Sequence, residues 1–157
     1  MPVIALRPVE DADLDALFDR SRDPEAVWMA AFTAEDPDDR HAFDAHMARV
    51  RSLPDATLRA ITCAGQLVGS ISSFVSGDQT EVTYWISRPV WGRGIASQAL
   101  ELLLKLAPAR PLHARAASDN IASLRVLQKA GFTVIGTENS YAPARNREIE
   151  ETILRLG

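Results

Sequence analysis

The stretch Glu81–Leu106, EVTYWISRPVWGRGIASQALELLLKL, changes hydrophobic period partway along, and that change constrains the fold more than any other feature. Val82, Tyr84 and Ile86 alternate with Glu81, Thr83 and Trp85, a strand pattern rich in β-branched and aromatic residues. Ile95, Ala99, Leu102, Leu103 and Leu106 then recur at helical spacing. Between them lies Arg88-Pro89-Val90-Trp91-Gly92-Arg93-Gly94, where Pro89 stops the sheet ladder and the glycines let the backbone turn closely. Such a turn brings unpaired amides and the positive end of a helix dipole to one point, which suits a phosphate or diphosphate. Arg93 can add a charge-assisted contact. The same composition is also ordinary strand-to-helix punctuation.

The rest of the chain supports a mixed architecture. Val3–Val9 reads as a first strand, and Glu10-Asp11-Ala12-Asp13 places acids at a helix start ahead of Leu14, Leu17 and Phe18. Ser21–Pro24 closes that helix, and Pro24–Phe32 reads as an unusually apolar connection. Asp36–Ser52 reads as a second helix with Phe43, Met47 and Val50 on one face. Thr57–Cys63 and Gln66–Val75 form a hairpin around Ala64-Gly65, and Ser76-Gly77-Asp78 turns the chain into the Glu81 strand. Pro108 and Pro111 break the chain after the long helix. Leu112–Ala117 is a strand, and Ser118-Asp119-Asn120 caps a helix over Ile121–Ala130 that Gly131 ends. Phe132–Thr137 and Glu148–Leu156 read as the last strands, leaving Asn139–Asn146, with Tyr141 and Pro143, as a loop of no evident role.

Composition bounds the function. A chain of 157 residues, 46% hydrophobic and 24% charged, is expected to form one domain over residues 1–157. A formal net charge of −4 provides no basic footprint, so no nucleic-acid partner is expected. Cys63 is the lone cysteine, which excludes an intramolecular disulfide and a multi-cysteine zinc site. His41 and His46 lie five apart without a third ligand, so no metal is expected. No window reaches the length of a membrane span, and MPVIALRPVEDADL lacks a basic region followed by an apolar run; a cytoplasmic setting without a membrane partner is the expectation.

Two nucleotide motifs are excluded by spacing. A P-loop needs Lys then Ser or Thr after its last glycine, where this chain has Ile95 and Ala96; the dinucleotide fingerprint needs a further glycine where it has Ser97. Trp91-Gly92-Arg93-Gly94-Ile95-Ala96 instead resembles motif A of the GNAT acetyltransferase superfamily, Q/R-x-x-G-x-G/A, with Trp91 in place of the usual first residue. Asn120-Ile121-Ala122-Ser123 followed by Lys129-Ala130-Gly131-Phe132 is similar to its motif B. W-G-x-G-x-A after E-x-x-Y-W is similar to the ribosomal-protein N-acetyltransferase branch. The order β-α-α-β-β-β-α-β-α-β-β is that of the GNAT fold, an α/β (mixed α+β) class with a central mixed sheet.

The resemblance implies acetyl-CoA as cosubstrate, with its diphosphate on the amides from Gly92 through Arg93, Gly94 and Ile95 to Ala96, and with Trp91 and Ser97 also at the cofactor site. Its arm would run beside Trp85 and Ile86, with Asn120 contacting the arm or the acceptor. Asn120 is equally a plain N-cap. Trp28, Met29 and Phe32 are candidate acceptor-lining residues, or simply core. The implied reaction is direct attack of a neutral amine on the thioester in a ternary complex. A lysine-like ammonium, with a pKa of about 10.4, costs roughly 4 kcal/mol to deprotonate at pH 7.4, whereas an α-amine costs about 0.5 kcal/mol. Glu81 is the candidate base, or a solvent-facing charge. Ser123 is the candidate acid for the departing thiolate, with Tyr141 as a second donor, and backbone amides including that of Ile86 would stabilise the oxyanion. The amine acceptor is open between a small molecule and a protein N-terminus. A non-catalytic acyl-CoA-binding or sensing domain is the rival reading, and it predicts CoA affinity without turnover.

Overall fold

Segments with period two pair into one sheet, and the helical segments cover its two faces. In the computed structural model, which describes residues 3–107 and 109–157, the strands are β1 (Ile4–Pro8), β2 (Thr57–Cys63), β3 (Gln66–Ser76), β4 (Gln79–Ile86), β5 (Leu112–Ala117), β6 (Thr133–Ala142) and β7 (Arg147–Leu156). The helices are α1 (Leu14–Ser21), α2 (Pro24–Ala30), α3 (Arg40–Ser52), α4 (Ile95–Leu106) and α5 (Ile121–Lys129). The seven-stranded sheet has the order β1-β2-β3-β4-β5-β7-β6, and only β4 and β5 pair in parallel. α4 makes that crossover, as expected for parallel neighbours. Among the described residues no helix is long and apolar enough to cross a membrane. Pro108, expected to break the chain, lies outside the described residues.

The expected order holds with one helix added. Pro24–Ala30 is a helix rather than a connection, because the Asp23 carboxylate accepts from the amides of Glu25 and Ala26 and Pro24 occupies the first turn. α3 starts at Arg40 rather than near Asp36, since the capping carboxylate is Asp39, which accepts from Ala42 N. The expected loop 139–146 is mostly strand: β6 and β7 stay in register from Glu138/Glu151 to Ala142/Arg147, leaving only a short turn. Cross-strand pairing there overrides a locally turn-like composition.

Alternation along β4 sorts the chemistry onto two faces. Val82 and Ile86 join Ile61, Ile71, Leu112 and Leu154 in a core covered by Ile95, Ala99, Leu100 and Leu103 of α4 and Leu127 of α5. The opposite face, under α1 and α3, has a smaller core of Val9, Leu17, Met47 and Ala60. Glu81, Thr83 and Trp85 alternate onto that second face. α1 is fixed to β1 by Arg7, which donates to both Asp13 carboxylate oxygens at 2.7 and 2.9 Å; that hydrogen bonding holds the Asp13 carboxyl below its ordinary range.

The end of β4 is set by a close approach. The unbroken β3–β4 register places Gly69 opposite Ile86, and a Cβ at Gly69 would overlap the carbonyl oxygen of Trp85. Gly69→Ala must therefore push backbone against backbone. The expected loss is about 3 kcal/mol, or roughly 6–12 °C in melting temperature, measured by thermal unfolding; an unchanged midpoint would show that β4 yields without cost.

Candidate active site

The site begins as a gap in the sheet. β4 and β5 pair only at Thr80/Leu112 and Glu81/His113, after which β5 has no register with β4. Ser87 N donates to Val68 O at 2.8 Å, so the facing residues Gly69 and Ile86 share no hydrogen bonds. Ile86 thus turns its own N–H and C=O away from β3, into the gap, and by alternation so does Tyr84. The Ile86 carbonyl accepts from Trp91 Nε1 at 2.8 Å, which folds the indole back onto β4. The Ile86 N–H is left facing the gap. Trp85, by the same alternation, spends its backbone on β3, and its indole donates to Arg20 O at 3.1 Å.

At the mouth of the gap the turn before α4 is built from left-handed glycines. Gly92 and Gly94 have φ of 80° and 75°, and no side chain lies within 4 Å of a Cβ placed on Gly92. The first backbone bond after the turn is Gln98 N to Gly94 O. Among the described residues, the amides of Gly92, Arg93, Gly94, Ile95, Ala96 and Ser97 have no acceptor. Arg93 is exposed beside them. Free amides at the positive end of a twelve-residue helix make a cradle of a geometry suited to an anion.

The two candidate catalytic residues stand on different faces of β4. Ser123, in the first turn of α5, is 2.7 Å from the Tyr84 hydroxyl, and either oxygen can donate. Burial pushes the Tyr84 phenol up from its ordinary value, while the Ser123 bond opposes this in part, so the pair keeps a proton at neutral pH. Glu81 lies on the other face, where Arg115 Nε is 3.7 Å away. Arg115 also pairs with Glu138 and Glu151, so one guanidinium serves three carboxylates. Burial, chiefly, pushes the Glu151 carboxyl up, with Arg115 opposing it. Tyr141 stands on the outer strand, donating to Asn146 at 2.7 Å, three places in the sheet from β4.

The acceptor-side candidates surround α2. Trp28 is 50% exposed, and Met29 is partly buried. Phe32 packs against a small cluster of Ala31, Ala117 and Ala142. Asn120 is engaged at both ends of its amide: Oδ1 accepts from Ser123 N at 3.3 Å as the α5 cap, and Nδ2 donates to Met29 O at 3.4 Å. Sequence reasoning used Tyr84 for its strand period and within E-x-x-Y-W but gave it no chemical role, and it had no place for Arg115 or Gly69. The E-x-x-Y spacing carried a signal for Tyr84, since a tyrosine three residues after the candidate base falls on the opposite face.

The sequence matches the family model of the acetyltransferase (GNAT) domain over residues 4–133. Among solved structures, RimL, a ribosomal L7/L12 alpha-N-protein acetyltransferase in complex with coenzyme A, aligns with a TM-score of 0.82 at 18% identity, covering 98% of this chain and 93% of that one. YncA from Salmonella typhimurium, with acetyl-CoA, aligns at 0.78 and 21% identity, covering 98% and 92%. Spermidine N-acetyltransferase from Vibrio cholerae, with CoA and spermine, aligns at 0.83 and 14% identity, covering 98% and 94%. No curated protein matches the sequence at a significant level.

Proposed function

This chain belongs to the GNAT acetyltransferase family, and we propose that it moves an acetyl group from acetyl-CoA to a primary amine by direct attack in a ternary complex. The observation that carries the proposal is the conjunction of the gap and the cradle. The open edge at Tyr84 and the free Ile86 N–H suit an extended amide-bearing arm, and the free amides of Gly92–Ser97 suit a diphosphate at its end.

Within that reading, residues on the two faces divide the proton work. The thioester supplies the acyl group, and the Ile86 N–H is the donor aimed at its carbonyl oxygen. The Tyr84–Ser123 pair, on the α4–α5 face, delivers a proton to the departing thiolate. Glu81 accepts the amine's proton on the α1–α3 face. A strand rises about 3.3 Å per residue, so Glu81 lies roughly 10 Å along β4 from Tyr84. Its role therefore runs through water rather than by direct contact. Arg88, just ahead of the cradle, pairs with Asp23 and Glu25 and ties the start of α2 to the cofactor turn.

The relatives act on a ribosomal protein N-terminus or a polyamine, and both acceptor classes suit the acidic surroundings of Glu81, Glu138 and Glu151. The test is release of CoA thiol from acetyl-CoA against Ala- and Ser-starting peptides, polyamines, aminoglycosides and amino acids. Turnover confined to one class is expected and names the acceptor; saturable CoA binding without turnover on any amine would favour a sensing domain.

A further inference from the structure

We propose that Arg145 is a positioning residue for the acceptor amine, registering α2 against the start of α5. The proposal rests on the transferase reading above and assigns a role to the β6–β7 turn. The Arg145 side chain is only 2% exposed. Its Nε donates to Trp28 O at 2.8 Å, while Nη1 and Nη2 donate to the two Asp119 carboxylate oxygens at 2.7 and 3.1 Å. The guanidinium carbon sits 4.5 Å from the centre of the Trp28 ring. One planar group thus holds a helix carbonyl, an aromatic face and the residue before the α5 cap.

α2 needs such a hold. It has seven residues, with Ala26 its buried one, and a helix that short is not stable by its own propensity. Its last carbonyls have no partners within the helix. Two of them are taken from outside, Trp28 O by Arg145 and Met29 O by Asn120 Nδ2, and just past the helix Ala31 O accepts from Ala144 N at 3.1 Å. The helix leaves through a strained turn, with Ala31 at φ 64° and ψ −52° and Phe32 N bonded to Ala30 O at 2.6 Å. A non-glycine residue keeps that conformation only where its surroundings over-determine it. The β6–β7 turn supplies those surroundings, and through Asp119 and Asn120 it connects them to the helix that carries Ser123. Trp28, Met29 and Phe32 therefore keep their places relative to the Tyr84–Ser123 pair through Arg145.

The experiment compares the full chain with Arg145→Ala, Arg145→Lys and Asp119→Asn. Hydrogen exchange should rise across α2 and Phe32 in Arg145→Ala while α4 stays protected. With the amine that the wild type acetylates, acceptor KM should rise about tenfold, the scale of roughly 1.4 kcal/mol of lost binding, while acetyl-CoA KM stays within about twofold. Arg145→Lys should restore thermal stability through its charge at Asp119 yet leave acceptor KM high, because an ammonium cannot bond Trp28 O, face Asp119 and stack at once. Asp119→Asn, which spares the Trp28 contacts but weakens the tie to α5, should raise acceptor KM by a smaller factor, about threefold; an unchanged acceptor KM there would show that α2 is not registered against α5 through Asp119. Unchanged exchange in α2, a parallel rise in both KM values, or full rescue of acceptor KM by lysine would each overturn the proposal. Absence of wild-type turnover on every amine would reject the transferase reading and the acceptor role with it; the exchange arm then still decides whether Arg145 holds α2.

Discussion

Gly94→Asp is expected to weaken CoA binding at least 100-fold by calorimetry, with the fold intact. Gly94 has φ 75° at the cap of α4, and the nearest atom to an added Cβ is Gln98 Nε2 at 4.0 Å, so there is space for a side chain on a nearly open surface. The backbone conformation costs about 1 kcal/mol for a non-glycine residue, a cost that Gly94→Ala measures by itself. Aspartate would add a negative charge beside the free amides of Gly92–Ser97, which suit an anion. At about 5 Å and an effective dielectric near 20, each like-charge pair costs roughly 3 kcal/mol. Alanine should thus be mild and aspartate severe, with a salt dependence in the second variant alone. Equal affinity in both variants would reject the cradle, because only its electrostatics separate them.

Glu81→Gln should lower turnover about 10- to 100-fold for amines with pKa near 10, and only a few-fold for α-amines. The amide keeps the shape of the side chain and removes its ability to accept a proton. At pH 7.4 a high-pKa amine must lose a proton at a cost of roughly 4 kcal/mol before it attacks. Raising the pH supplies the neutral amine from solution, so the variant's rate should climb about tenfold per pH unit until the amine's own pKa is reached. The wild type should show a shallower dependence. The effect is kept below that of a direct base because Glu81 sits roughly 10 Å from Tyr84 along the strand and is shared with Arg115. An equal loss across the amine series would remove Glu81 as the proton acceptor and leave it an electrostatic partner of Arg115.

Where the sequence spoke clearly, the signal was local. The alternation from Val82 to Ile86, the helical period from Ile95 to Leu106 and the Gly92 and Gly94 turn each involve residues within a few positions of one another, and each formed as read. Asn120 followed by Ser123 was legible as a cap for the same reason, since the Ser123 amide reaches back three residues. Pro24–Phe32 misled because its apolar residues suggested burial, while the deciding group was the single carboxylate of Asp23. The hairpin beyond Thr137 was hidden because Glu138, Asn139 and Ser140 are poor strand formers held by partners on β7.

The candidate site divides along the same line. Local periodicity and turn chemistry, written in neighbouring residues, determined the strand–turn–helix unit, its free amides and the mixed order of elements. Only the tertiary structure decided that Tyr84 meets Ser123 across 39 residues, that Arg115 gathers Glu81, Glu138 and Glu151 from separate strands, and that Arg145 reaches Trp28 across 117. Those contacts depend on strand order and on which face each strand presents, and such choices are made by burying the whole sheet at once rather than by any segment alone.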